Sequence, residues 1–344
     1  MKRFTLIIPA LIIFFIAVNE YSDTTRVLFI GNSYTYANNL PLIFSNLSAS
    51  GNKNTVTDIS APGGYSFENH YSNPETISKI KMGNWNFVLL QEQSQMPVIP
   101  YYRFNFTYPY AILLDSIIKS YGQQTVFFVT WGREAGGEQC INSYCSPVFI
   151  NYYHMQDSLT ASYRMIADSV NALTAPAGEA WRIARTLNPL IDLWDSDGSH
   201  PSLKGSYLAA CLFYKKLFNQ SPAGLVYTAG LSTQDALFLQ NCADLTVTAV
   251  QNQNSKHYAN DFAEVYPNPV NSRAIIKFYI EKKAYCTIKL FDISGREIKE
   301  TASGFFPAGE NNSAIIMNDL SSGVYFVRLA TESRIIVRRV VLIR

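Results

Sequence analysis

Short apolar runs, separated by longer segments of mixed polarity, divide the chain between residues 26 and 245. "RVLFI" is the first run and stops at Gly31. "NTVTDIS" is β-branched and stops at "APGG"; "NFVLLQ" and "QTVFFVT" follow. Between and after them lie helix-like stretches: "NLPLIFSNLSAS", "SFENHYSNPETISKIKMG", "YPYAILLDSIIKSYG", "VFINYYHMQDSLTASYRMIADSVNAL", "AGEAWRIARTL" and, last, "SLKGSYLAACLFYKKLF". Strands separated by helices of this length predict βα units and a parallel sheet with helices on both faces. The near-continuous apolar character of the runs agrees, because such strands are covered on both sides.

The pattern changes near residue 246. "TVTAVQNQNSKHYAND" contains neither Leu nor Ile and reads as a linker over 246–261. Beyond it, "RAIIKFYI", "CTIKLFDISG", "SAIIMNDL", "GVYFVRLA" and "RIIVRRVVLI" are short segments punctuated by Gly, Pro, Asn and Ser. They predict a small all-β sandwich over 262–344. At the other end, two cations precede an apolar run from Phe4 to Val18. The run is short for a membrane span and has the proportions of a signal peptide, assigned to residues 1–20. A single anchoring helix is the alternative. No cysteine near the run suggests a lipid anchor.

A length of 344 residues accommodates the two domains, 24–245 and 262–344. With 48% hydrophobic and 16% charged residues, the chain has the makings of a packed core. The net charge of +2 gives no footprint for nucleic acid. Residues 262–344 hold 12 Lys and Arg against 8 Asp and Glu, a local +4 that is still a weak field. Of the five cysteines, Cys140 and Cys145 flank the polar loop "CINSYC" and could bridge in an exported protein. Cys211 lies in an apolar helical stretch and reads as a buried thiol. The four histidines are scattered, which argues against a metal site.

In an open parallel sheet, reactive groups belong at the carboxyl ends of strands. Strand one ends at Gly31-Asn32-Ser33, strand two at "APGGYS" with Gly63 and Gly64, and strand three at "QEQSQ" with Gln91 and Gln93. Far downstream, "LWDSDGSHPS" places Asp197 three residues before His200 in a turn. A nucleophilic serine needs a base and a group that orients the base. His200 would take the Ser33 proton, and Asp197 would hold the other ring nitrogen; Asp195 is the alternative acid. An oxyanion hole would draw on the Ser33 N–H, a glycine N–H from "PGGYS" and a side-chain amide from "QEQSQ". Ser33 could instead only cap a helix. His70 and His154 sit in helix-like stretches away from the strand ends, with core or surface roles expected. The aromatic-rich "PVIPYYRFNFTYPY" follows strand three. Its rings, Tyr101 and Tyr102 among them, either contact substrate, roof the core or meet a partner. "WGREAGGEQCINSYC" follows strand four and offers Trp131 and Arg133 as substrate contacts.

These blocks, in this order, resemble the SGNH (GDSL-type) hydrolases. "FIGNSYT" corresponds to the first block at Gly31 and Ser33, "APGGYS" to the second, and "DGSH" to the last at Asp197 and His200. Asn32 stands where the family has aspartate. "LLQEQSQ" lacks the asparagine of the third block and looks similar to the Gln-Gly-Glu-Ser segment of sialate-acetylesterase-like relatives. The resemblance implies a three-layer α/β/α, flavodoxin-like fold and a Ser33–His200–Asp197 triad. It implies an oxyanion hole from Ser33, Gly64 (or Gly63) and Gln91 (or Gln93), and no cofactor. It further implies an esterase acting on short acyl, chiefly acetyl, esters of small molecules or polysaccharides. A lipase of the same fold and a non-catalytic glycan-binding surface protein are the alternatives. "YPNPV", "LFDISGREI" and "SGVYFVRL" look like the type A C-terminal sorting domain of the Bacteroidetes type IX secretion system. That resemblance implies secretion or surface display after passage through the periplasm, the secretion machinery as partner, and only transient membrane contact. A generic carbohydrate-binding sandwich is the other reading of this segment.

Overall fold

The computed structural model describes residues 24–257, 263–280, 282–292, 296–331 and 335–344. The expected signal peptide lies outside them. Among the described residues, no helix is long and apolar enough to cross a membrane.

The strands of the first domain are β1 (Thr25–Ile30), β2 (Thr55–Ser60), β3 (Phe87–Leu90), β4 (Gln124–Phe128), the hairpin β5 (Cys140–Ile141) and β6 (Tyr144–Cys145), and β7 (Leu173–Ala175). The helices are α1 (Ser33–Tyr36), α2 (Leu40–Ser50), α3 (Phe67–Ser72), α4 (Pro74–Lys81), α5 (Pro100–Tyr102), α6 (Tyr108–Ser120), α7 (Tyr152–Val170), α8 (Ala177–Leu187), α9 (Leu203–Phe218) and α10 (Thr233–His257). Five strands form one parallel sheet in the order β2-β1-β3-β4-β7. This is the expected α/β/α arrangement.

The apolar runs explain the layering. Successive side chains of a strand point to opposite faces. In β1, Val27 and Phe29 enter one core with residues of α2, α8, α9 and α10, while Leu28 and Ile30 enter the other with residues of α3, α4, α6 and α7. Phe29 meets Phe44 and Phe213 at ring-centroid distances of 5.8 and 5.9 Å. Both faces of β1 are thus filled, which leaves its carboxyl end as the place where a polar residue reaches solvent.

Two elements depart from the sequence reading. β7 is three residues long, too short for a periodic signal; the predicted long helix ends on its first residue, Leu173, and Thr174 and Ala175 fall between predicted elements. The last helix of the domain is α10, not α9. Ala236, Leu239, Cys242 and Ala243 bury one side of α10 in the same core as α9. The expected linker is helical as far as His257, and residues 258–262 lie outside the described set.

The C-terminal part is a two-sheet antiparallel sandwich. Its strands are β8 (Ala263–Tyr266), β9 (Arg273–Ile280), β10 (Ala284–Asp292), β11 (Glu297–Phe306), β12 (Gly309–Ile316), β13 (Gly323–Ala330) and β14 (Ile335–Leu342). The sheets run β11-β10-β13-β14 and β12-β9-β8. Alternate residues such as Ile276, Phe278, Ile288, Leu290, Val327 and Leu329 fill the space between them.

Candidate active site

The chain leaves β1 through Gly31, Asn32 and Ser33. A side chain at Gly31 would strike Thr35 Oγ1 and lie 2.5 Å from Gln91 Oε1, so the close approach requires glycine. Asn32 is buried and uses every polar group it has. Its N–H donates to Gln91 Oε1 (2.9 Å), its Oδ1 accepts from Tyr34 N–H (3.2 Å), and its Nδ2 donates to the Tyr65 carbonyl (2.9 Å). That last bond ties the first block to the second, and an aspartate could not make it. Asn32→Asp is expected to cost about 1–3 kcal/mol by setting a carboxylate against a carbonyl oxygen. Thermal unfolding of the variant measures this; an unchanged midpoint would remove the assignment.

His70 is buried beneath the same turn. Its Nε2 lies 2.7 Å from the Gly31 carbonyl and its Nδ1 3.1 Å from Thr76 Oγ1. A carbonyl only accepts, so Nε2 carries the proton and Nδ1 accepts from Thr76. Burial pushes this imidazole down to about 4, against the pull of the carbonyl. His70 is therefore a neutral core residue that supports the turn.

Ser33, His200 and Asp197 come together. His200 Nε2 is 2.8 Å from Ser33 Oγ, and His200 Nδ1 is 2.5 Å from Asp197 Oδ2. The other Asp197 oxygen accepts the backbone N–H groups of Ser199 (2.9 Å) and His200 (2.8 Å). Partial burial acts to raise the Asp197 carboxyl, but these donors, the His200 ring first, outweigh it and hold it below its ordinary value. An ionised Asp197 draws the ring proton to Nδ1, leaving Nε2 to accept from the serine. The turn that presents them is closed by Asp195 N–H to His200 O (2.8 Å) and Gly198 N–H to Asp195 O (2.9 Å), with Gly198 at φ +64°. Asp195 Oδ1 accepts from Ser196 N–H instead of approaching the imidazole.

The remaining expected residues divide. Gly63 and Gly64 form an exposed turn, with Gly64 at φ +74°. Neither N–H has a backbone acceptor among the described residues. Gln91 is turned inward: its Oε1 accepts from Asn32 N–H and Thr35 Oγ1 (2.8 Å), and its Nε2 donates to the Glu92 carbonyl. It fastens the β1 turn to β3. Gln93 Oε1 accepts the N–H groups of Gln95 and Met96, while Nε2 makes one 3.3 Å bond to Gln95 Oε1 and keeps its second hydrogen. The helix that begins at Ser33 has four residues, too few for a substantial dipole.

Trp131 is not a surface contact. It is fully buried, stacked between Tyr34 (4.9 Å) and Trp181 (3.9 Å), and its indole N–H donates to the Ser199 carbonyl (2.9 Å). Its large apolar ring at the end of β4 serves as a pillar under the His200 turn. Tyr34 completes the support: its hydroxyl is 2.6 Å from Ser199 Oγ and its ring meets His200 edge-on at 5.4 Å. Sequence reading missed Tyr34 and Ser199, although both adjoin predicted site residues. It also missed Glu92, fully buried, whose Oε1 accepts from Phe67 N–H (2.9 Å) and Gln93 N–H (2.8 Å). Burial raises this carboxyl to about 7.

Tyr101 and Tyr102 lie in α5, in the loop region after β3, just ahead of a π-helical turn over Arg103–Thr107. Tyr101 stacks on Tyr144 at 3.5 Å, and Tyr102 OH accepts from Asn142 Nδ2 (2.9 Å). Tyr144 and Asn142 belong to the β5–β6 hairpin, which the Cys140–Cys145 disulfide closes. Glu138 lies beside those two sulfurs, but the disulfide removes them as metal ligands. His154 is exposed and packs edge-on against Phe149 at 5.5 Å.

Comparison with known proteins separates the two halves. The family described as the secretion system C-terminal sorting domain matches residues 264–343. No curated protein sequence matches the chain. Among solved structures, a DUF4886 family protein from Bacteroides uniformis superposes with TM-score 0.56 at 20% identity, covering 66% of this chain and 95% of that one. A provisionally assigned SGNH hydrolase from Slackia heliotrinireducens gives 0.46 at 24% identity, covering 57% and 100%. The psychrotrophic esterase EstA from Pseudoalteromonas gives 0.41 at 14% identity, again covering 57% and 100%. The last two are similarities only. The first domain thus shares the fold of the Bacteroides uniformis protein, and residues 264–343 that follow it form a secretion system C-terminal sorting domain.

Proposed function

We propose that this protein is a secreted serine esterase. The observation that carries the reading is the hydrogen-bonded chain Ser33 Oγ–His200–Asp197 at the carboxyl edge of the sheet. Ser33 attacks the ester carbonyl while His200 Nε2 takes its proton, and Asp197 stabilises the imidazolium. The carbonyl oxygen becomes an oxyanion facing the Ser33 and Gly64 N–H groups and the spare amide hydrogen of Gln93. Collapse breaks the bond to the alcohol, which leaves with the His200 proton. Water, deprotonated by His200, then attacks the acyl-enzyme; the serine takes the proton back as the acid departs. The residues alone suffice for these steps.

The groups around Ser33 favour a short acyl chain. Gly64 and Gln93, the groups proposed to face the oxyanion, are small or polar, whereas a lipase needs an apolar channel. Tyr101, Tyr102 and Tyr144, gathered after β3 and in the β5–β6 hairpin, suit a carbohydrate alcohol, whose ring faces stack on aromatics. Residues 1–20 would direct export to the periplasm, and the sorting domain would pass the protein to the type IX machinery.

The test is hydrolysis of 4-nitrophenyl acetate by the purified protein, followed by a phosphonate ester reagent. Activity is expected to fall in step with labelling of the peptide that contains Ser33. Cleavage of the acetate should exceed that of the decanoate. No hydrolysis above buffer, or a label placed elsewhere, would overturn the esterase reading and leave a glycan-binding role for these tyrosines.

A further inference from the structure

Arg133 is a half-buried cation without an anion. Among the described residues, no carboxylate lies within ion-pair distance of its guanidinium. The nearby acids are committed. Glu134 lies 3.9 Å from Arg185, and Asp197 is held by His200 and two backbone N–H groups. Arg133 has five N–H donors, and one of them meets Ser94 Oγ at 3.3 Å. The rest of the fork, on a side chain that is only half-buried, is open to an anion from solvent.

Its position is defined by three strand ends. Arg133 follows β4, Ser94 follows β3, and the Arg133 charge acts on the phenol of Tyr34, which follows β1. Tyr34 adjoins Ser33, and its hydroxyl bonds to Ser199, the neighbour of His200. The guanidinium is therefore held at the same carboxyl edge of the sheet as the triad, through Ser94 after β3 and next to Tyr34, whose ring meets His200 at 5.4 Å. A planar fork with free donors matches a carboxylate in two parallel hydrogen bonds.

Resting on the esterase reading, we infer that Arg133 selects substrates bearing a carboxylate near the scissile ester. The carboxylate can belong to the alcohol, as in an acetylated uronic acid, or to the acyl group, as in a hemisuccinate. Two matched pairs separate these sources. 3-Acetoxybenzoate against its methyl ester places the charge on the alcohol side. Mono-4-nitrophenyl succinate against 4-nitrophenyl acetate places it on the acyl side.

The measured quantity is the anionic-to-neutral ratio of kcat/KM, compared between the unmodified protein and Arg133→Gln. In at least one pair the ratio is expected to fall tenfold or more, because hydrogen bonds to a charged group are involved. The pair affected identifies the side. Arg133→Lys keeps the charge without the fork and should recover part of the lost ratio. A change below tenfold in both pairs overturns the inference. If the unmodified protein hydrolyses neither member, the esterase reading has failed instead. The inference is then decided by calorimetric titration with 3-acetoxybenzoate: tenfold weaker binding to Arg133→Gln upholds it, and equal binding overturns it.

Discussion

Replacing Ser33 by alanine is expected to lower kcat/KM for 4-nitrophenyl acetate by roughly 10⁴-fold or more. On the proposed mechanism the hydroxyl is the atom that bonds to the acyl carbon, so nothing else replaces it. The fold should tolerate the change: Ser33 Oγ has His200 as its side-chain partner, and the turn is held by Asn32, Gln91 and His70. Asp197→Asn should cost about 10²- to 10⁴-fold. An amide in that place releases the His200 tautomer and leaves the imidazolium unsupported. The two defects should not multiply in the double variant, since both residues act through one imidazole. Steady-state rates with burst kinetics decide the matter. A Ser33→Ala protein that retains its rate would place the chemistry elsewhere.

A second large effect concerns stability, and it is hidden in the unaltered protein. Glu92 and His70 are both buried and shifted in opposite directions. The Glu92 carboxyl is raised from 4.5 to about 7 by burial, which outweighs its two N–H donors. Below pH 4.5 it is protonated whether the chain is folded or not, and costs nothing. As pH rises the unfolded carboxyl ionises first, so stability falls, until the native group also ionises near pH 7. The total is about 3 kcal/mol. His70 is lowered from 6.5 to about 4, again by burial. Above pH 6.5 it is neutral in both states. As pH falls the unfolded imidazole gains a proton that the native one refuses, so stability falls towards pH 4, also by about 3 kcal/mol.

Between pH 4.5 and 6.5 these slopes oppose each other. Glu92→Gln should expose the His70 slope, with the protein losing stability as pH falls. His70→Gln should expose the Glu92 slope, with stability lost as pH rises. Urea midpoints for the first domain at pH 4.5, 5.5 and 6.5 report both, and comparison with the unaltered protein cancels every other titration. Two variants with the same pH dependence as the parent would show that neither group resists its charge. The pair also bears on the site. Glu92 anchors the start of α3, just after the Gly63–Gly64 turn, and His70 anchors Gly31, so both buried groups fix turns that flank Ser33.

Much of this is legible in the sequence itself. The apolar runs announced β1 to β4 because strands covered on both faces need little polarity. Gly31, Gly64 and the Asp197–Gly198–Ser199–His200 turn stood out because glycine and polar residues are out of place at the end of a buried run unless the backbone must bend there. β7 and α10 were hidden for contrary reasons. β7 is too brief to show a period, and α10 buries small residues on a mostly polar helix, so its signal resembled a linker. Trp131 was misread because an aromatic residue after a strand looks the same whether it faces solvent or a stack of other rings.

The order of β1 to β4 and the identity of the residues at their ends were thus set by local composition and spacing, which a linear chain carries openly. Where each side chain points was decided only by packing across the chain. Gln91 turns inward because Asn32 and Thr35, some 60 positions away, offer it donors. Arg133 has no ion-pair partner among the described residues, although Glu134 follows it directly in the sequence and instead lies 3.9 Å from Arg185. Direction and partnership depend on distances between remote segments, and those exist only once the sheet has brought the strand ends together.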